Sequence, residues 1–571
     1  MKRYLLLLLL LFPFYVKAVD GYNVSIEDDN IQVKLNDEIV SDYSNVVEYN
    51  NRVLTVKKGA VIKELSFNDI DLTITSNNKV AYIGYINHGR YALNPNVHKK
   101  LIIRDFRNDE NQPFRLDVSA YYTEIEVYNS AIYQLSSLWT ADDHNNESGL
   151  LAKDSILMNG YLHTSGPIIL ENIEYDGGYV QSENSYISVK NSNLRVDGNF
   201  YTDGGSGHID ILDSSIDFVN SYSKILLYGL CDADYSLYIK NSSINNGGIG
   251  TSWKLPVILE NVDFTGTNID IRGKAIIKDS NVVLNSSDTV HFGGMDVENS
   301  SIKANNRIDC YTELADNSSI KNSIIEVGGM FAIYQNTVVY SSYLNVNGFY
   351  SRENFFLNNS YLKVLLLSKP LYYDEAFKED KNFYISNSYF YLENCVQELT
   401  TFLLPERTSL FNFDEGLSVA DKDGVELKLV YREGLGYSYY YDAAGNNPSR
   451  TVTLRAKATV TFKIENGAWA DGSINDIVIT KDVWDTLNPE DIPELPELPN
   501  GHWEIVPSTD DYIKGDVTYV YVIDEVKGVE EIEENPKTGI NYIYTIISFI
   551  IAISLSIMYF KYFNKTYFMK G

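Results

Sequence analysis

The sequence predicts an all-β protein: a right-handed parallel β-helix, then a small β-rich module, then one C-terminal membrane helix. Three observations carry the prediction. A short Asn/Asp-Ser phrase returns about every 21.5 residues through the middle of the chain, and aromatic residues, 45 of them Tyr, make up 13% of the 571 residues. An uncharged apolar run long enough to cross a bilayer stands near the C-terminus.

The chain opens MKRYLLLLLLLFPFYVKAVDG. Lys2 and Arg3 precede an apolar stretch of about 12 residues, too short to span a hydrocarbon core of ~30 Å. Val16-Lys17-Ala18 then supplies small residues at the −3 and −1 positions of a cleavage site. Residues 1–18 are therefore expected to be a secretory signal peptide cut after Ala18, and the acidic, less regular residues 19–50 an N-terminal cap.

The repeat follows. Its form is apolar, any, Asn or Asp, usually Ser, any, apolar. It is centred on Asn129, Asp154, Asn172, Asn191, Asp213, Asn241, Asn261, Asp279, Asn299, Asn322, Ser341, Asn359 and Asn387. The twelve intervals cover 258 residues, a mean of 21.5. That period is neither a heptad nor the 33–47 residues of common helical repeats. Its richness in Asn, Asp, Ser and Gly also disfavours helices. Short alternating segments such as ILDSSIDF and SYLNVNG turn every second side chain inward, and one coil buries its apolar face only by stacking on the next. The recurrent Asn or Asp is read as a bend residue whose side chain caps backbone groups and stacks as a ladder, which is architecture and not chemistry. Residues 51–402, 352 in all, at 21.5 per coil give roughly 16 coils at ~4.8 Å each.

Residues 403–455 are expected to close the far end as antiparallel strands, with Lys422-Asp423-Gly424 as a hairpin signal. Residues 456–528 are long enough for one small core. Their phrases VTFKIENGAWADGS, DIVIT and GHWEIVPSTDDYIKGDVTYVYV, with Trp503 ahead of Val506-Pro507, resemble the internalin-type B-repeats of Gram-positive surface proteins. That resemblance implies a β-grasp-like spacer. Residues 529–534, carrying Glu530, Glu531, Glu533 and Glu534, read as an extended acidic tether.

Residues 535–539 are Asn535, Pro536, Lys537, Thr538 and Gly539; residues 540–560 contain no charge, and Lys561, Lys565 and Lys570 lie in the tail 561–571. Lysines after the span place that tail in the cytoplasm. Motif, span and basic tail in this order resemble the cell-wall sorting signal of Gram-positive surface proteins, with Asn535 where that family usually has Leu. The resemblance implies that a sortase attacks the Thr538 carbonyl, releases Gly539 onward, and leaves Thr538 amide-linked to peptidoglycan. The plain alternative is a single-pass membrane anchor. Both place the bulk of the chain outside the cell, with membrane contact during export.

Composition limits the function further. Lys+Arg number 47 against 77 Asp+Glu, a net charge of −30. Without a basic surface to release counterions, nucleic-acid binding is excluded. Removal of both ends takes Lys2, Arg3, Lys17, Lys561, Lys565 and Lys570, leaving 41 basic and 77 acidic residues, or −36. Cys231, Cys310 and Cys395 are too few for a disulfide scaffold and are expected to be buried thiols. His88, His98, His144, His163, His208, His291 and His502 are scattered singly. Gly207-His208-Ile209-Asp210 resembles one pectinase phrase, but the Asn-Thr-Asp and Arg-Ile-Lys partners are missing. Asp232 and Asp234 form the nearest approach to an acid cluster, and Arg195 and Lys190 stand apart from them. No catalytic residue, metal ligand or cofactor is therefore assigned. The expected solenoid resembles those of pectate-lyase-like proteins, which implies a polysaccharide lyase or hydrolase as the alternative to a non-enzymatic adhesin that binds a glycan or a protein. Tyr121-Tyr122, Tyr372-Tyr373 and Tyr439-Tyr440-Tyr441 are the aromatic pairs and triplet available for stacking on sugars.

Overall fold

The computed structural model describes residues 21–524, apart from positions 28, 184 and 253 and the segments 68–69, 77–81, 89–98, 108–116, 120–122, 133–136, 141–148, 204–206, 229–233, 312–316, 367–382, 394–411, 414–416, 433–435 and 498–500. The expected signal segment 1–18, linker 529–534, motif 535–539, span 540–560 and tail 561–571 lie outside the described residues. Among the described residues no helix is long and apolar enough to cross a membrane. The chain divides into two compact units, Met1–Val460 with Ile479–Pro489 and Ser508–Val517, and Thr461–Val478 with Glu490–Pro507 and Thr518–Gly571.

Parallel coils stack in the first unit as the repeat predicts, forming a β-solenoid. At the start of the chain Tyr22–Glu27 pairs antiparallel with Asn30–Leu35 and parallel with Val61–Phe67, and Val47–Asn50 pairs antiparallel with Val53–Val56.

Each coil supplies three strands. Leu162–Thr164 belongs to sheet 1, residues 168–171 to sheet 2 and residues 174–177 to sheet 3, and each continues in register into the next coil. Inward residues such as Ile168, Leu170, Ile187, Val189, Ile209 and Ile211 are fully buried.

The corner between sheets 2 and 3 is where the phrase acts. All thirteen phrase residues, from Asn129 to Asn387, have φ between 42° and 55°, and Asp105 at 52° adds one more. Such left-handed geometry costs an ordinary L-residue roughly 1–2 kcal/mol, and Asn and Asp tolerate it best after Gly. Their amides then bond along the stack. Asn129 Nδ2 donates to Asp105 Oδ1 (2.6 Å), Asn172 to Asp154 (2.7 Å), Asn241 to Asp213 (3.0 Å) and Asn299 to Asp279 (3.1 Å).

A second ladder runs beside the first. The buried Ser after the bend donates its hydroxyl to the carbonyl two residues back, as Ser280 does to Lys278 (2.6 Å) and Ser300 to Glu298 (2.6 Å). It also accepts the backbone N–H from the preceding coil: Ser214 N–H donates to Ser242 Oγ (3.0 Å), Ser280 to Ser300 (3.0 Å) and Ser342 to Ser360 (3.0 Å). Where Ile173 or Val262 replaces Ser, its own N–H still reaches the next hydroxyl, that of Ser192 (2.9 Å) or Ser280 (3.0 Å).

Outside sheet 2, facing coils present opposite charges, with Lys153–Glu171 at 3.1 Å and Lys240–Glu260 at 2.7 Å. Lys240 and the Tyr238 hydroxyl together hold the Glu260 carboxyl below its usual range. On sheet 3, Tyr343, Tyr361 and Tyr389 stack at 4.5 and 4.8 Å, with the Arg455 guanidinium 5.2 Å over Tyr389. There Tyr389–Glu393 pairs antiparallel with Thr451–Arg455, which ends the parallel ladder. The turn at Lys422-Asp423-Gly424 forms, bracketed by an Ala420↔Glu426 bridge and with Gly424 at φ 85°. In the second unit Gly501–Trp503 pairs antiparallel with residues 521–523, and Trp503 packs near Phe462, Trp469 and Tyr521.

Two stability predictions arise here. Asn299→Ala should cost about 1–2 kcal/mol in urea unfolding and Asn299→Gly less, since both lose the amide but Gly accepts φ 50° freely. Equal losses would show that backbone handedness is not what the position selects. Burial pushes the phenols of Tyr175 and Tyr361 far above the ordinary tyrosine value of 10.0. The folded state then binds more protons than the unfolded one above that pH, so stability should hold up to about pH 10 and fall beyond it. Thermal melts between pH 8 and 12, compared with Tyr175→Phe, check this; the variant should show the shallower alkaline decline.

Candidate functional site

Sheet 1 is built from short strands in which two buried residues, apolar or Ser/Thr, flank a central one on the outer face. Residues 269–271 are Ile-Asp-Ile, residues 290–292 Val-His-Phe, and Ile308–Cys310 Ile-Asp-Cys. The flanking residues point inward and are buried, so the central one faces out. In register, the outward row runs His163, Gln181, Tyr201, Leu226, Gly250, Asp270, His291, Asp309, Ala332 and Tyr350.

Three consecutive coils of this row, Asp270, His291 and Asp309, gather the most concentrated chemistry among the described residues. Arg307 Nε donates to Asp309 Oδ1 at 2.6 Å, and this bond is the largest reason the guanidinium is raised above its ordinary value. The Asp309 side chain is only 12% exposed, and His291 Nδ1 stands 4.0 Å from Asp309 Oδ2. Arg272, 68% exposed, lies 3.7 Å from Asp270. Tyr311 meets Tyr334 edge-on at 5.3 Å, and Tyr334 lies 5.2 Å from Tyr350. Tyr311 is 53% exposed and so presents a ring to solvent beside the row.

The two carboxylates sit two coils apart, ~9–10 Å by strand spacing. That is near the upper limit for a pair that acts across a sugar with a water between them. Among the described residues no group of three His, Cys, Asp or Glu is gathered closely enough to hold a metal ion.

A second cluster lies on earlier coils of the same sheet. Tyr161 stacks on Tyr179 at 4.7 Å and 16°, Tyr179 meets His163 edge-on at 6.1 Å, and His163 Nε2 lies 2.8 Å from Glu183 Oε1. Burial raises the Tyr179 phenol above its ordinary value. Across the corner, His208 stacks on Tyr186 at 5.1 Å and meets Tyr235 edge-on at 5.8 Å. Asp210 lies 3.7 Å from His208, and its Oδ1 accepts the Tyr235 hydroxyl at 2.9 Å.

The residues singled out in the sequence scatter by comparison. Tyr439 and Tyr440 are 1% and 4% exposed and belong to the interior, so only Tyr441 of that triplet reaches solvent, with its hydroxyl on Asp421 (2.9 Å). Tyr121, Tyr122, Tyr372, Tyr373, Asp232, Cys231, Cys395 and the sorting residues Asn535, Pro536, Lys537, Thr538 and Gly539 lie outside the described residues, as does Ala18. Cys310 is a buried free thiol whose Sγ lies 3.3 Å from Met295 Sδ, and burial raises its ionisation well above the ordinary value.

Asp270 follows Asn261 by nine residues, His291 follows Asp279 by twelve and Asp309 follows Asn299 by ten, so the interval from the bend varies and the phrase alone does not locate the row.

Comparison with known proteins finds no matching family model, no curated relative and no similar solved structure.

The buried thiol gives a direct check on this region. At neutral pH an alkylating reagent should leave Cys310 unmodified in the folded protein and label it fully after unfolding. Peptide-resolved mass spectrometry reads that site apart from the other two thiols, and rapid labelling without denaturant would contradict the packing described.

Proposed function

We propose that this chain is a cell-wall-anchored bacterial surface protein whose solenoid binds glycans without cleaving them. The observation that carries the binding reading is the polar part of the sheet 1 row, where Asp270 and His291 stand beside Arg272, Arg307 and the Tyr311 ring, with Asp309 buried under Arg307. Hydroxyl-rich ligands need such a mixture: carboxylates to accept, guanidinium groups to donate, and aromatic faces against which the apolar side of a sugar ring packs.

Anchoring rests on the order of Asn535-Pro536-Lys537-Thr538-Gly539, the apolar span 540–560 and the lysine-bearing tail. Sortase would be the processing partner, and peptidoglycan the covalent one through Thr538. Residues 456–528 serve in this reading as a β-grasp-like stalk and 529–534 as the tether. Binding at the solenoid could extend to protein ligands through the same tyrosines.

One observation favours a second reading, that of a surface-tethered hydrolase: the spacing of Asp270 and Asp309 suits an inverting pair. Against it, Asp309 is occupied by Arg307 and only 12% of its side chain is exposed.

Two measurements test the proposal. Mass spectrometry of muralytic digests of the producing cell should find a C-terminal peptide ending at Thr538 joined to a peptidoglycan stem; an intact tail through Gly571 confined to the membrane fraction would refute anchoring. Incubation with a panel of acidic and neutral polysaccharides should give binding and no products. New reducing ends lost in Asp270→Asn would establish the hydrolase, and unsaturated products a lyase.

A further inference from the structure

We propose that the glycan is a neutral, extended polysaccharide lying along the stacking direction of sheet 1, touching coil after coil, and not a terminal sugar held in a pocket. The inference rests on the glycan-binding reading above and adds ligand class, direction and length.

Geometry supplies the first argument. Two clusters of side chains on the outer face lie on one sheet, joined by an unbroken register. Tyr161, Tyr179 and His163 mark one end, and Asp270, His291 and Asp309 the other. From His163 to Asp309 the row crosses eight coils, seven intervals of ~4.8 Å, or about 34 Å. An extended pyranose chain advances by about one such spacing per sugar, so roughly seven sugars match the strip. Between the clusters Leu226 is half-buried and Gly250 has no side chain, while Tyr201 and the half-exposed Tyr228 place rings along the strip.

Charge supplies the second. The protein as a whole is −30, yet along this strip the acids are met locally: Glu183 by His163, Asp270 by Arg272 and Asp309 by Arg307. Among the described residues, Lys224, Arg272 and Arg307 face three carboxylates, with His163 and His291 beside them. A polyanion would find no surplus of cations here and a repulsive field beyond it. A neutral polyhydroxylated chain finds donors and acceptors in turn, and rings at either end for stacking.

The test is a length series on the purified full chain by calorimetry. Probes are cello-, chito- and manno-oligosaccharides of two to ten sugars, with polygalacturonate and hyaluronan fragments of matched length. For at least one neutral series the Kd should fall through about seven sugars and then level, as the strip length requires. Tyr179→Ala and His291→Ala should each weaken the seven-sugar ligand about three- to tenfold, as expected for loss of one aromatic or polar contact. A disaccharide should respond to at most one of them. Circular dichroism confirms that the variants fold. Full affinity already at two or three sugars, or preference for the anionic fragments, overturns the extended neutral ligand while glycan binding stands. Absence of binding to every probe overturns both.

Discussion

One constraint organises the solenoid: each coil must turn a tight left-handed corner and still hand its backbone groups to the next coil. The corner is where a parallel stack is most exposed to failure, because the strand ladder is interrupted there and its N–H groups face inward. Asn or Asp relieves the backbone cost by tolerating positive φ, and the following Ser fills the gap in the ladder with a hydroxyl that donates back and accepts from the neighbouring coil. The two residues solve one problem jointly, which is why they occur as a pair. Where Ser is missing, at Ile173 and Val262, the next coil's hydroxyl still serves the backbone. A single interruption is therefore tolerated, and consecutive ones would leave buried groups unpaired.

A fixed corner has consequences for every other row. Once the bend residues are aligned, strands before and after it have no freedom of register, and the outward side chains become strict columns. Columns can then be specialised independently. That outside sheet 2 alternates charge between coils, as in Lys153–Glu171 and Lys240–Glu260, while the outside of sheet 3 carries the Tyr343–Tyr361–Tyr389 stack. Sheet 1 carries neither pattern throughout. It mixes aromatic and ionic groups along its length, and it is the column least explained by the needs of stacking.

The solenoid and its bends were legible because they depend on local residue types recurring at a near-constant interval. The handedness of the corner was encoded in single residues, and every phrase residue from Asn129 to Asn387 obeys it. The serine ladder stood in the same phrase but its role was not readable, since an N–H from a different coil is invisible in a linear pattern. The Asp270, His291 and Asp309 row escaped for a related reason. Its members lie about 20 residues apart inside three-residue strands, with no motif of their own, and only the register of coils brings them together. Tyr439 and Tyr440 misled because consecutive aromatics look like a surface platform, whereas here the strand packs them inside.

The ionic part of sheet 1 differs in kind from the pairs that brace sheet 2. Lys153–Glu171 and Lys240–Glu260 join neighbouring coils, so each bond also supports the stack. Arg307–Asp309 and Arg272–Asp270 join residues two apart on one strand or its end, and hold nothing together that the backbone does not already hold. Surface pairs of that sort contribute little stability. Their effect is to fix the orientation of carboxylate and guanidinium groups and to cancel charge on a strongly acidic protein. Groups so placed present directed donors and acceptors to solvent at low conformational cost to a ligand, because part of the ordering is done before it arrives. A row that is costly to explain as scaffold and well suited to hydroxyl recognition is what distinguishes sheet 1 from its two neighbours.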